Sequence, residues 1–208
     1  AGTATQLQMT TQPSPSAQSG VALAVQPAVR LADVFGNAVA TNGVTVTVSL
    51  ASGSGTLGGT LSALTAGGVA TFTNLAITGP TGAYTLQFAS TGLTSVTSTT
   101  IGIGAGVATQ LAMVTQPSSS AVNGVAFAVQ PAVQVRDAAG NPVAGVRAVT
   151  ASIATGGGTL GGTLTVNTDA AGLATFTNLA ITGTVGPRTL RFTSGTLSQA
   201  LSGSVTTT

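Results

Sequence analysis

Apolar and polar residues alternate along much of this chain with the two-residue period of a β-strand. Val44, Val46, Val48 and Leu50 share one face of a stretch whose other face carries Thr45, Thr47 and Ser49. Successive side chains of a strand point to opposite sides, so this spacing predicts a half-buried strand over 44–50. Gln6 to Thr10 alternates in the same way. Further strands are predicted over 27–32, 60–64, 69–74, 84–90 and 95–103, with 21–25 as a short edge strand. Pro27 can sit only at the start or edge of its strand, because it has no N–H to give a neighbour. Turn residues separate these stretches. The segment 11–20 contains Pro13 and Pro15 and reads as a loop. Asp33-Val34-Phe35-Gly36-Asn37, Gly67-Gly68 and Gly79-Pro80-Thr81-Gly82 read as turns, and 52–59 as a glycine-rich mobile loop. No stretch carries the 3.6-residue period of a helix. Seven or more short strands separated by turns predict an all-β sandwich, with Phe72 in mid-strand at the centre of its core.

The pattern occurs twice. Thr71-Phe72-Thr73-Asn74-Leu75-Ala76-Ile77-Thr78-Gly79 returns unchanged at 175–183, a spacing of 104 in a chain of 208 residues. Ala4-Thr5-Gln6-Leu7 returns at 108–111 and Thr11-Gln12-Pro13-Ser14 at 115–118. Thr56 to Leu61 returns at 159–164, one residue short of the common spacing. A fixed period of this kind marks a repeated structural unit. About 100 residues suffice for one hydrophobic core, so the expected domains are 1–104 and 105–208, laid end to end and joined at Gly102 to Gly106. The second copy then has strands over 146–153, 173–178, 188–194 and 199–205, with Phe176 in the place of Phe72. Both ends fall in phase with the period. That suits either modules from a longer array or a subunit that joins its own copies head to tail.

Composition narrows the function. Charged residues are 4% of the chain, giving a formal net charge of +2, and there is no Lys, Glu, His, Cys or Trp. A balance so small gives no reason to expect nucleic acid. With 43% apolar residues the chain has what it needs to bury a core. Without Cys no disulfide can staple the units, so packing must hold them. No apolar run approaches the ~20 residues of a membrane-spanning helix, and no stretch reads as a signal peptide, so any secretion signal is expected outside these residues or removed. A surface so poor in charge leaves three expectations: hydroxyls solvate it, sugars cover it, or an assembly buries it.

The order Ala-Thr-Gln-Leu, Thr-Gln-Pro, Pro-Ala-Val, Gly-Asn, Gly-Thr-Leu-Gly-Gly-Thr-Leu and Ala-Thr-Phe-Thr-Asn-Leu-Ala-Ile resembles the bacterial Ig-like repeats of large surface proteins. Such modules are akin to those of invasin and intimin. The resemblance spans both copies. It implies two tandem Ig-like β-sandwiches on the outside of a cell, serving as stalk, adhesin or spacer. Gly82-Ala83-Tyr84-Thr85-Leu86 also matches the tyrosine corner of such folds, in which the hydroxyl bonds back to nearby backbone. The second copy has Arg188 at that place, and its corner is expected to be less firmly tied.

Catalysis finds little to work with. A hydrolase triad needs a base, and neither His nor Lys is present. The three carboxylates, Asp33, Asp137 and Asp169, lie in separate turns. Calcium wants ~6–8 oxygens, several of them from carboxylates. Asp33 with Asn37 and Asp137 with Asn141 could offer two residues each, but turn-capping is the reading preferred for both. Gly58-Gly59 and Gly156-Gly157-Gly158 lack the Lys and helix of a phosphate loop. Arg188 and Arg191 read as solvated surface, although they could meet acidic sugars. Phe72, Phe88, Phe176 and Phe192 read as core. The uncharged strands 6–10 and 44–50 lack the charges that guard exposed edges. They are expected to pair within their own module, while residues 1–11 could serve as a donor strand to a neighbouring subunit.

The expected function is therefore non-catalytic: a structural module, stalk or fibre part of a bacterial surface adhesin, with no cofactor. Two alternatives stay open, a self-assembling filament subunit and a spacer or carbohydrate-binding module of a secreted enzyme. The expected partners are neighbouring copies or repeats, with host or surface glycans as further candidates.

Overall fold

The computed structural model describes residues 2–208, and no helix occurs among them. Contacts divide the chain into two compact units, one running to Gly106 and the other from Val107 to Thr208.

In the first unit Gln6–Thr11, Ala28–Ala32 and Val69–Thr71 form an antiparallel sheet in that order. The facing sheet runs Ser16–Gln18, Ile101–Gly104, Gly82–Ala89, Thr45–Ser52, Ser62–Leu64. Val96–Thr97 adds to Gly82–Ala89, and Thr56–Gly58 pairs with Ala76–Thr78. The second unit repeats this plan. Ala108–Thr115, Ala132–Asp137 and Leu173–Thr175 form its small sheet. Ser120–Ala121, Val205–Thr207, Gly186–Thr193, Ala148–Thr155 and Thr165–Asn167 form the larger one. Strands distant in sequence lie side by side within each sheet, which is how Greek-key connections close a sandwich. Each unit is an Ig-like β-sandwich.

The alternation seen in the sequence builds the core. Val46 and Val48 are buried, and Val48 faces Phe88 across the sheet. Phe72 packs on Phe88 with ring centroids 5.1 Å apart at 56°, and Phe176 on Phe192 at 5.3 Å and 52°. Tilted contacts of this kind suit the aromatic quadrupole. The last strand is interrupted at Ser98, whose hydroxyl accepts the Leu86 amide at 3.0 Å. Ser202 accepts the Leu190 amide at 2.8 Å in the second unit.

Several elements differ from the sequence expectation. Phe72 is buried but lies just past Val69–Thr71, in the segment that crosses between the sheets. Asn74, two residues on, takes φ 56°, which no strand allows. The loop 11–20 contains the strand Ser16–Gln18; three residues hedged by prolines are too few to show alternation. The segment 52–59 is not a free loop, because Thr56–Gly58 is paired. The expected edge strand 21–25 makes a single bridge, Ala22 to Ala76.

Candidate functional site

The carboxylates are spent on turns. Asp33 Oδ1 accepts the amides of Phe35 and Asn37 at 3.0 and 2.9 Å. Its Oδ2 accepts the Gly2 amide at 2.8 Å and the Asn37 side chain at 3.1 Å. The Gly2 amide first, then the Asn37 side chain and the two turn amides, stabilise the anion. Together they hold its pKa at about 2, below the ordinary 3.8, against burial, which pushes the other way. Asp137 repeats the motif, accepting the Asn141 amide at 2.8 Å and its side chain at 2.9 Å. Asp169 accepts the amides of Ala171 and Leu173, both at 2.9 Å. A calcium ion would have to displace N–H donors from both oxygens of Asp33 or Asp137. Neither pair suits a cation, and among the described residues no three of His, Cys, Asp or Glu gather.

The position shared by Tyr84 and Arg188 carries the least ordinary chemistry. The Tyr84 hydroxyl donates to Pro80 O at 2.8 Å and to Ser54 O at 3.4 Å. Gly53, at φ +95°, lies flat on the ring, and a Cβ there would come within 2.2 Å of it. The glycine loop is thus the lid of this corner.

Arg188 departs from both expectations made for it. It is 2% exposed, not solvated, and its corner is tied by more bonds than that of Tyr84. Nε donates to Gly157 O at 2.9 Å, Nη1 to Gly186 O at 2.8 Å and to Thr207 Oγ1 at 2.7 Å, and Nη2 to Thr184 O. Gly157 and Thr184 stand where Ser54 and Pro80 stand in the first unit, so guanidinium and phenol use the same two carbonyls. The extra hydroxyl comes from Thr207, which replaces the buried Ile103 of the first unit. A sequence signal did exist: both residues change towards greater polarity between the copies, Tyr84 to Arg188 and Ile103 to Thr207, and the two new side chains meet on adjacent strands. Arg191 is exposed on the outer sheet face, with Nε 3.4 Å from Ser152 Oγ.

The outer faces are dressed with hydroxyls bonded to one another across strands. Ser52 meets Thr85 at 2.8 Å, Thr150 meets Thr165 at 2.9 Å, and Thr155 meets Thr189 at 2.8 Å. Two phenylalanines lie outside the four read as core: Phe127 is buried in the second core, and Phe35 is not. It is 86% exposed at the tip of the Asp33 turn, where the second unit has Ala139. Beside that turn lies a cavity of about 560 Å³ lined by Leu31, Val39, Val44 and Leu93 with three threonines.

The two strands suspected of open edges are paired at home. Thr45–Ser52 lies between Gly82–Ala89 and Ser62–Leu64. Gln6–Thr11 pairs with Ala28–Ala32 and, through Gln6, with Thr94. To act as a donor, that strand would have to leave its own sheet.

No protein-family model matches the chain, and no curated protein does. Solved structures do resemble it. The D0-D1 domain of Intimin is 18% identical over 98% of each chain, with a TM-score of 0.36. The D00-D0 domain of Intimin is 13% identical over 98% of each chain, with a TM-score of 0.47. The adhesin InvE of Yersinia pseudotuberculosis is 20% identical over 97% of this chain and 58% of its own, with a TM-score of 0.37. The likeness is to bacterial Ig-like modules of the intimin and invasin type, as the sequence resemblance implies.

Proposed function

We propose that the chain is a non-catalytic structural module of a bacterial surface adhesin, holding other parts away from the cell. One observation carries this reading: the same sandwich is built twice, and every carboxylate in it is used as a turn cap. A protein whose aspartates all cap turns, and which has no His or Lys, has no side-chain base left for acid–base work. The hydroxyl-dressed, nearly uncharged exterior supports an extracellular place, where such a surface stays hydrated without depending on salt or pH. The alternative of a spacer or carbohydrate-binding module of a secreted enzyme has no residue in its favour here. Antibodies raised against the purified chain should label intact producing cells. Label confined to lysed cells would overturn the proposal. Long filaments of regular axial repeat in electron micrographs of the purified chain would replace it with the self-assembling subunit.

A further inference from the structure

The cavity of about 560 Å³ in the first unit is made of two kinds of surface. Leu31 is buried, Val39, Val44 and Leu93 are partly buried, and together they give it an apolar floor. Thr3, Thr41 and Thr91 are exposed and form its rim. Its volume falls within the roughly 300–1,000 Å³ of small-ligand clefts. Its walls are held in place by the fold. The Gly2 amide donates to Asp33 Oδ2 at 2.8 Å, the Val39 amide to Leu31 O at 3.0 Å and the Val44 amide to Thr65 Oγ1 at 3.0 Å. Neighbouring hydroxyls are already engaged: Thr65 Oγ1 donates to Thr41 O at 2.7 Å and Ser90 Oγ to Thr45 O at 2.8 Å. Among the described residues no protein group bonds the hydroxyls of Thr3, Thr41 or Thr91.

The second unit shows which of these residues the fold itself requires. Val135, Val143 and Leu197 stand where Leu31, Val39 and Leu93 stand in the first. Shared bonds fix the correspondence: the Val143 amide donates to Val135 O at 2.9 Å, and the Leu197 amide to Ser194 O at 3.0 Å, as Leu93 does to Ser90 O. Most of the floor therefore stays apolar. All three threonines are gone, replaced by Val107, Gly145 and Gly195, and Arg147 takes the place of Val44. A single hydroxyl lost between copies would mean little. Three lost from one rim, with a cation set beside it, mark a property that the first unit has and packing does not need. The two surfaces also name the ligand. No charged side chain lines the cavity, so a charged ligand would meet no counter-charge there. A bare hydrocarbon would take water from three hydroxyls and return nothing. A sugar ring would want an aromatic face to stack on, and no aromatic lines the cavity. A peptide satisfies both surfaces. Its N–H and C=O groups match hydroxyls that both donate and accept, and one apolar side chain covers the floor.

We propose that this cavity binds an uncharged stretch of peptide on a partner protein, one apolar side chain entering it while the peptide backbone bonds the rim of Thr3, Thr41 and Thr91. The site stands on its own geometry; only the claim that the partner is met outside the cell rests on the surface-module reading above.

One side chain and a few neutral hydrogen bonds bind weakly, so the test is NMR titration of the isotope-labelled full chain. The probes are acetylated, amidated tripeptides with leucine, phenylalanine, lysine or aspartate between two glycines, and the methyl glycosides of glucose and galactose. The leucine or phenylalanine peptide should shift the resonances of Val39, Thr41, Thr91 and Leu93 saturably. Val143 and Leu197, at the same places in the second unit, should stay still and serve as a control within the molecule. Thr41→Val and Thr91→Val keep the shape and remove one hydroxyl each, and each should weaken binding roughly five- to tenfold. Val44→Arg copies the second unit, which folds with Arg147 there, and should abolish binding. The lysine and aspartate peptides should bind less well than the leucine peptide. Absence of a saturable shift with every tripeptide would overturn the proposal. So would equal shifts in both units, threonine variants that bind as tightly as the native chain, or shifts given by the glycosides and not by the peptides. Any of these would leave the surface-module reading untouched, whereas failure of cell-surface labelling would overturn that reading and leave the site in place.

Discussion

Exchange of the two corner residues between the units tests how a guanidinium can be buried with no carboxylate beside it. Arg188→Tyr gives the second unit the phenol of the first, and the two carbonyls that Tyr84 uses are present there as Thr184 O and Gly157 O. The change strands Thr207 Oγ1, which bonds Arg188 at 2.7 Å and belongs to a residue with no exposure. Thr207→Ile makes the opposite fault, taking one acceptor from a buried cation. A buried polar group left without its partner costs about 1–3 kcal/mol. Each single variant should therefore lower the melting point of the second unit, at roughly 4–8 °C per kcal/mol for a domain of ~100 residues. The double variant recreates the Tyr84–Ile103 pair. It also removes the cost of burying a charge, so it should match or exceed the native chain. The singles should then be non-additive by the sum of their two losses, about 2–6 kcal/mol. Calorimetry of the full chain, with hydrogen exchange on peptides from 107–208 to isolate the second unit, reads the cycle. Losses that simply add would show that Arg188 and Thr207 are not coupled, and the account of this corner would fail.

Tyr84→Phe removes the hydroxyl bonded to Pro80 O and should destabilise the first unit by about 1 kcal/mol in denaturant titrations. Gly53→Ala forces a Cβ onto the Tyr84 ring at φ +95° and should cost well over 1 kcal/mol, whereas Gly92→Asn, at φ +77° in open space, should cost a few tenths at most; thermal melts of the two separate these cases. Asp33 has a folded pKa of about 2 against an ordinary 3.8, so its contribution is complete above about pH 4 and is lost as pH falls towards 2. Unfolding of the first unit followed from pH 6 to 2 should show that loss, and Asp33→Asn should remove it. Addition of a chelator should leave both melting transitions where they are, because the oxygens of Asp33 and Asp137 already accept N–H bonds; a downward shift would reveal a cation that this geometry does not accommodate.

What the sequence showed, and what it hid, follow from the range of the signals. Alternation over Val44 to Leu50 is local, and the strand Thr45–Ser52 lies almost where it points. The strand Ser16–Gln18 has only three residues, and its partner is some 85 positions away at Ile101–Gly104, so no local window reveals it. The glycines of 52–59 suggest mobility because a missing side chain reads as freedom in a sequence. Gly53 is a glycine for the opposite reason, since the Tyr84 ring occupies the space a Cβ would need. Arg188 reads as solvated in the sequence because an arginine is almost never fully buried unless paired, and no acid lies near it. Its partners are carbonyls and one hydroxyl, none of which carries a charge that a sequence could advertise. The repeat offers a way round this limit. Where two copies of one fold differ, an isolated change such as Phe35 to Ala139 marks a surface free to vary, since Phe35 is exposed. A change of polarity at two distant positions, Tyr84 to Arg188 and Ile103 to Thr207, marks two side chains that must meet, because each new polar group needs the other once both are buried.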